Sequence, residues 1–342
     1  MVGCRKILAR IGFSRSSTLG RVIGFLARRL FGYVVLSLFA VFLTYGLASL
    51  AYDPIGALRR RHPAPPPSVV ADKIHDLRLD VPIPQRFAGW LLGALHGDLG
   101  VTVAGVPIAP DVVPRAETSL RLFLAGTVVG VLLAVAVGVA GALRQHRPTD
   151  HVTMFLSYFL IATPVFVVGA WLKSGAVQLN AATGWDLLPT DLELTPGFAG
   201  VQLLDRTRHL ILPTLAIAVP MAAYLSRYQR NAVLDVLGAD FLRTARAKGL
   251  TRGRALRRHG LRIALIPMAT LFTYAFGTMI VGGSFVERLF DWHGMGLWLV
   301  DGINQQDANL TATVTLFAAV CLLLSGLLSD LVHAALDPRI RQ

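Results

Sequence analysis

Charge is scarce in this sequence. Asp, Glu, Lys and Arg make up 15% of its 342 residues, where a soluble globular chain carries about 25%. That excludes a soluble domain. Cysteine is almost absent: Cys4 lies near the start and Cys321 inside an apolar run, which gives no disulfide framework. Acid is scarcer than base, 20 against 33, for a net charge of +13. Such an excess can serve nucleic acid, but membrane topology accounts for it better. No Gly-x-x-x-x-Gly-Lys-Ser/Thr loop is present, so the chain does not bind ATP in that manner. The apolar runs hold almost no ionisable groups: Arg121, Lys173 and Asp330 lie near run ends, where they reach the interface. A proton-coupled carrier needs Asp, Glu or His in mid-span, and that lack counts against one. The basic start also lacks an apolar core and a small-residue cleavage site, so residues 1–29 read as a cytoplasmic tail and not a cleaved signal.

Apolar residues are abundant, at 54%. They concentrate in six runs, 30–50, 118–143, 152–175, 209–226, 263–286 and 311–333, each near the ~20 residues that cross a bilayer. The expected fold is an all-α integral membrane protein with six transmembrane helices. Its segments are a basic tail at 1–29, a first helix at 30–50, an outer loop at 51–117, a core at 118–335 and a C-terminus at 336–342. Orientation follows from Lys and Arg placement. The tail, the turn at 144–151, the loop at 227–262 and the C-terminus hold 21 of the 33 basic residues; the opposite face holds 12, with 15 acids. Arg59, Arg60 and Arg61 leave the first span ambiguous alone, and the basic loop at 227–262 decides it. Both termini are expected in the cytoplasm.

Several local signals are legible. Pro63-Ala64-Pro65-Pro66-Pro67 reads as extended chain, and 71–79 has helical spacing. Phe87, Trp90, Leu91, Leu92 and Leu95 fit an interfacial amphipathic helix. Asp98, flanked by glycines, reads as a turn residue. Gly126, Gly130, Gly138 and Gly141 recur at near-helical spacing, which suits close helix packing or a pore lining. Pro213 and Pro220 can kink the fourth span. His146 and His151 flank a solvated turn. Glu287, Asp291 and His293 read as a polar outer loop gating a pore in preference to a metal or catalytic cluster.

The loop at 239–259 carries the most information. Asp240 can cap a short helix starting at Phe241. Phe241, Leu242 and Ala245 share one face; Arg243, Arg246 and Lys248 lie towards the other. Gly249 sits where a helix ends in a left-handed turn, which glycine adopts without steric cost. Thr251 can cap the next helix, which runs through Ala255, Leu256 and Leu261 into the fifth span. The expected product is a short helix across the membrane face, with an apolar ridge shaped for a partner's groove. The bland reading is an ordinary basic loop on the cytoplasmic side.

Here a resemblance enters. Arg243-Thr244-Ala245-Arg246-Ala247-Lys248-Gly249-Leu250 resembles the coupling-helix motif of ABC importer permeases, Glu-Ala-Ala-x-x-x-Gly, in the Arg-Thr-Ala-x-Ala-Lys-Gly-Leu form of the dipeptide/oligopeptide branch. His259-Gly260 through Pro267, Leu79 to Pro84 with Trp90, His96 to Gly100, Thr118 to Leu122, Thr163 to Phe166, Gly282 to Glu287, His293 to Gly296 and Leu336 to Arg341 are similar to that branch, in its order. The similarity covers about residues 25–342, and the long first outer loop is similar to that of the first permease subunit, oligopeptide type.

The resemblance implies a type I ABC importer permease in a bacterial inner membrane, without enzymatic activity. Asp240, Phe241, Arg243, Thr244, Ala245, Lys248, Gly249 and Leu250 would couple it to a separate ATPase. Its partners would be a second, homologous permease, two ATP-binding subunits and an extracytoplasmic substrate-binding protein, in a lipid bilayer and without nucleic acid. ATP and Mg would be bound by the ATPase subunits; the chain itself would hold no cofactor or metal. The cargo would be peptide, with nickel complexes or glutathione as alternatives; a channel or carrier not driven by ATP, or a membrane scaffold, are the readings from other classes. The substrate-binding residues stay unassigned.

Overall fold

The structure is a computed structural model that describes residues 15–60, 62–63, 65–195, 202–268, 271, 275 and 283–336. Among these residues the chain is helical, with no strand beyond an isolated antiparallel bridge between Val101 and Pro107. The helices longer than one turn are α1 (Arg15–Ala51), α2 (Pro67–Asp76), α3 (Ile83–Leu95), α4 (Ala109–Leu143), α5 (Pro148–Ala162), α6 (Val165–Thr183), α7 (Gln202–Gly238), α8 (Asp240–Ala247), α9 (Ser284–Leu289), α10 (Met295–Asn304) and α11 (Ala308–Leu336).

Among the described residues, four helices are long and apolar enough to cross a membrane: α1 over Ala27–Ala51, α4, α7 over Leu203–Gly238, and α11 over Ala308–Asp330. The run at 152–175, expected as one span, is broken into the pair α5 and α6, which together are long and apolar enough for a fifth span but are bent by 107°. Pro164 causes the break. It has no N–H to donate and it disfavours helical geometry at the residue before it; Thr163 is accordingly extended, at φ −89° and ψ 125°. Of the expected span at 263–286, only 263–268, 271, 275 and 283–286 are described, and the rest lies outside the described residues, as do 1–14 and 337–342. Residues 15–29, read from the sequence as tail, continue α1 without a break.

The spine of the fold is α4 against α7. An ideal Cβ on Gly126 would come within 2.7 Å of Ile217, and one on Gly138 within 2.7 Å of the Ser226 carbonyl oxygen and 2.8 Å of Gln229 Cβ. Gly130 meets Met221 and Ala218 in the same way. These glycines therefore serve close helix packing, where small residues let two backbones approach. Pro213 and Pro220 lie inside the uninterrupted α7.

The second layer is α1 along α11, clamped by Arg29–Asp330 at 3.5 Å. α3 lies against it: Phe87 and Trp90 are buried with Tyr45, while Leu92 and Leu95 stay exposed. Phe31, Leu36, Phe39, Leu47 and Leu50 of α1 are also exposed, as suits a helix whose solvent is lipid. Of the expected polar outer loop, Glu287 is corrected, while Asp291 is half-buried and His293 exposed. Glu287 is fully buried, because its carboxylate accepts hydrogen bonds from Ser119 Oγ at 2.5 Å and the Leu297 N–H at 2.8 Å. It is a strut joining α9 to α4 and α10. Asp98 does form a turn, accepting the Gly100 N–H at 2.9 Å.

Candidate functional site

The sequence from Asn231 to Gly260 folds into a compact elbow where α7 ends. Val233 and Val236 of α7, Leu242 and Ala245 of α8, Ala255, Leu256, Ala264 and Ala142 of α4 form one buried cluster. Spacing of three between Leu242 and Ala245 puts both on the inner side of α8. Burying Leu242 completely contributes roughly 1.5–3 kcal/mol, enough to hold a two-turn helix that would not form alone.

The backbone closes α8 in a defined way. The Gly249 N–H bonds to the Arg246 carbonyl at 2.9 Å and the Leu250 N–H to the Ala245 carbonyl at 3.3 Å. This pair of bonds is the Schellman motif. Gly249 takes φ +93° in open space; its requirement for glycine is conformational and not steric. Leu250 packs back on the buried cluster, the apolar contact that accompanies such an end.

Gly260 is demanding for the opposite reason. A Cβ there would lie 2.7 Å from Val236 and 3.1 Å from Leu242. It ends a π-helical turn, Leu256–Gly260, that brings the return segment onto α7. The sequence marked Gly260 only as part of the stretch to Pro267; its packing role against Val236 and Leu242 comes from the fold. Arg252 Nη2 donates to the Ala142 carbonyl at 3.5 Å and ties the elbow to the end of α4.

The outer face of α8 is thereby set. Asp240, Phe241, Arg243, Thr244, Lys248 and Gly249 are exposed, Leu250 is half-buried and Ala245 is buried. The expected ridge is smaller than its sequence suggests, because Leu242 and Ala245 are used inside the chain and Phe241, 42% exposed, is left outward. Asp240 is also corrected: it occupies the first helical position, Ala239 is the N-cap, and no side chain caps the helix. Asp240 instead faces Arg243 at 3.5 Å, with side chains 95% and 71% exposed. Such surface pairs hold weakly, so both charges are available to a partner. Thr251 likewise stands at an N-cap position without a side-chain cap bond.

The elbow presents an aromatic ring and basic groups on a packed support. Among the described residues no group of three or more His, Cys, Asp or Glu can hold a metal ion.

Residues 126–342 match the family described as "Binding-protein-dependent transport system inner membrane component". The chain is 51% identical over 320 residues to the oligopeptide transport system permease protein OppB of Mycobacterium tuberculosis, covering 93% of this chain and 98% of that protein. It is 34% identical over 257 residues to the oligopeptide transport system permease protein AppB of Bacillus subtilis, covering 75% and 79%. Against the dipeptide transport system permease protein DppB of Escherichia coli K12 it is 31% identical over 291 residues, covering 79% and 85%.

Proposed function

The chain belongs to the family of binding-protein-dependent transport system inner membrane components, a membrane transport protein and not an enzyme, and from that premise we propose that it is one of two permease subunits of an ATP-driven peptide importer. The cargo reading rests on the oligopeptide and dipeptide permeases it is similar to. The second permease, two ATPase subunits that bind ATP and Mg, and an extracytoplasmic binding protein complete the assembly. Both termini and the basic loop at 227–262, which contains the elbow, face the cytoplasm.

One observation carries the mechanism: α8 is a short helix with a fixed backbone end and an outward face of Phe241, Arg243, Thr244 and Lys248. A helix held this rigidly transmits a push without absorbing it. Leu242 and Ala245 join it to α7 and α4 through the same cluster. Movement of an ATPase under α8 would therefore act directly on the α4–α7 spine, a bistable bundle biased at one end by nucleotide.

The experiment is a mild-detergent pull-down of the tagged chain with its co-expressed partners. Wild type is expected to retain an ATPase; Gly249→Val and Arg243→Glu are expected to lose it while staying in the membrane. Full retention by both variants would remove α8 from the interface.

A further inference from the structure

A cavity of about 320 Å³ opens at the far end of the molecule from the elbow. Its walls come from the C-terminal end of α1, the segment joining α2 to α3, the loop at Val103 and the start of α11. Those elements meet the N-terminal end of α4 through Ile108 and Leu310, whereas the elbow sits at the C-terminal end of α4. The 35 residues of α4 separate the two by roughly 50 Å at 1.5 Å per residue.

The lining has an unusual charge pattern. Arg86 reaches in from α3, with its guanidinium 5.6 Å from the centroid of the Tyr45 ring and hydrogen-bonded to the Tyr45 hydroxyl. Its Nε is buried without a hydrogen-bond partner, and so is the hydroxyl of Ser49 on the same wall. Asp53, an exposed residue, contributes an acid to the same lining. Its backbone N–H bonds to Gln306 Oε1 at 3.2 Å, which fixes the turn that presents it. Neither Arg86 nor Asp53 takes part in any of the ion pairs formed by the described residues. The other acid, Asp307, is already occupied: its oxygens accept the Val103 and Leu310 N–H groups at 2.7 and 2.9 Å. The remaining wall is mixed, with apolar Ile55, Leu79 and Ile83 beside Tyr52 and Asn309.

Buried polar atoms are ordinarily satisfied, and each one that is not calls for an explanation. Here the unsatisfied atoms sit with a cation and an exposed carboxylate, both outside the ion pairs of the described residues, around one cavity of mixed polar and apolar lining. A cation or an anion alone would meet one favourable and one repelling charge. A molecule carrying both signs meets two favourable ones. Ligand cavities run from roughly 300 to 1,000 Å³, so this one suits a small occupant and not an extended peptide.

We propose that this cavity is a second binding site, for a small zwitterion of amino-acid or dipeptide size, with Arg86 and Ser49 taking its anionic group and Asp53 its ammonium. The site lies away from the α4–α7 spine and does not depend on the docking role of α8. Ethanolamine phospholipid headgroups share the chemistry, an ammonium close to an anion, and are the other source of the same ligand.

The test is calorimetric titration of the full chain, with its co-expressed partners, in nanodiscs of phosphatidylglycerol. The probes are leucine, N-acetyl-leucine, which lacks the ammonium, and leucinamide, which lacks the carboxylate. Leucine is expected to bind saturably, and each blocked form about tenfold more weakly, the loss typical of one charge-assisted contact. Arg86→Gln should weaken leucine about tenfold and leave leucinamide unchanged. Asp53→Asn should weaken leucine similarly and leave N-acetyl-leucine unchanged. Repeating the titration with phosphatidylethanolamine in the disc separates the sources: competition marks the headgroup as occupant, and unchanged binding marks the free solute. Absence of saturable leucine binding in phosphatidylglycerol discs overturns the proposal. So do variants that shift all three probes equally, because that pattern reports a structural change and not charge recognition. No step requires an active importer, so failure here leaves the transport reading untouched, and failure of the pull-down leaves this site untouched.

Discussion

Asp150 and Arg230, 80 positions apart, meet in a two-point ion pair: Arg230 Nε donates to Asp150 Oδ1 at 2.8 Å and Nη2 to Oδ2 at 2.7 Å. The Asp150 side chain is 2% exposed and that of Arg230 16%. The His146 N–H also donates to Asp150, at 3.1 Å. The turn between α4 and α5 is thus bolted to α7 at the residue just before the elbow. Removing one partner of such a pair strands a charge, at a cost of about 3–5 kcal/mol. Asp150→Ala should therefore lower the thermal midpoint in detergent sharply. Combining it with Arg230→Leu should recover part of the loss. Strictly additive losses in this double-mutant cycle would mean that the pair does not act as a unit.

Gly249 should be replaceable according to backbone preference and not size. Open space surrounds it, and only its φ of +93° is restrictive. Asn tolerates left-handed geometry, whereas a β-branched residue does not. Gly249→Asn should keep most peptide uptake, and Gly249→Val should lose it with the chain still in the membrane. Equal uptake by the two would show that the Schellman end is dispensable.

The α4–α7 spine makes a contrasting prediction for helical glycines. At Gly138 an added side chain meets the Ser226 backbone oxygen at 2.7 Å, which has no rotamer by which to yield. Gly138→Leu should abolish recovery of folded protein. Gly175 of α6 has nothing within 4 Å, and Gly175→Ala should be neutral or stabilise by up to about 1 kcal/mol. Size-exclusion yield after extraction compares them. A well-folded Gly138→Leu protein would separate the two helices.

Stability should also fall as pH rises through the range where Asp307 ionises. Burial pushes its carboxyl above the ordinary carboxylate range, outweighing the N–H groups of Leu310 and Val103 that favour the charged form. A raised native pKa means that the folded protein holds this proton more tightly than the unfolded chain. Its contribution is fully present below the ordinary carboxylate range and is lost as pH rises through the native pKa. Asp307→Asn cannot titrate, so its melting temperature should vary less with pH there. Parallel curves for the two proteins would sink this assignment.

Much of this architecture was legible along the chain. The runs at 118–143, 209–226 and 311–333 each lie within one helix, because a bilayer imposes its length and polarity on any segment that crosses it. The end of α8 was legible at Gly249 for an equally local reason, the freedom of glycine at positive φ. The glycines of α4 announced a close contact but not its partner.

What the amino-acid order determined by itself is thus the set of features governed by neighbours a few residues apart: apolar length, helix period, basic loops and the glycine turn. Only the tertiary structure decided how those parts face one another. It turned Leu242 and Ala245 inward and Phe241 outward, since the partner helices α4 and α7 occupy one side of α8. It buried Glu287 against Ser119, 168 positions away, and brought Ser49, Asp53, Arg86 and Gln306 around one cavity. Such placements depend on the packing of distant segments, which no local pattern encodes.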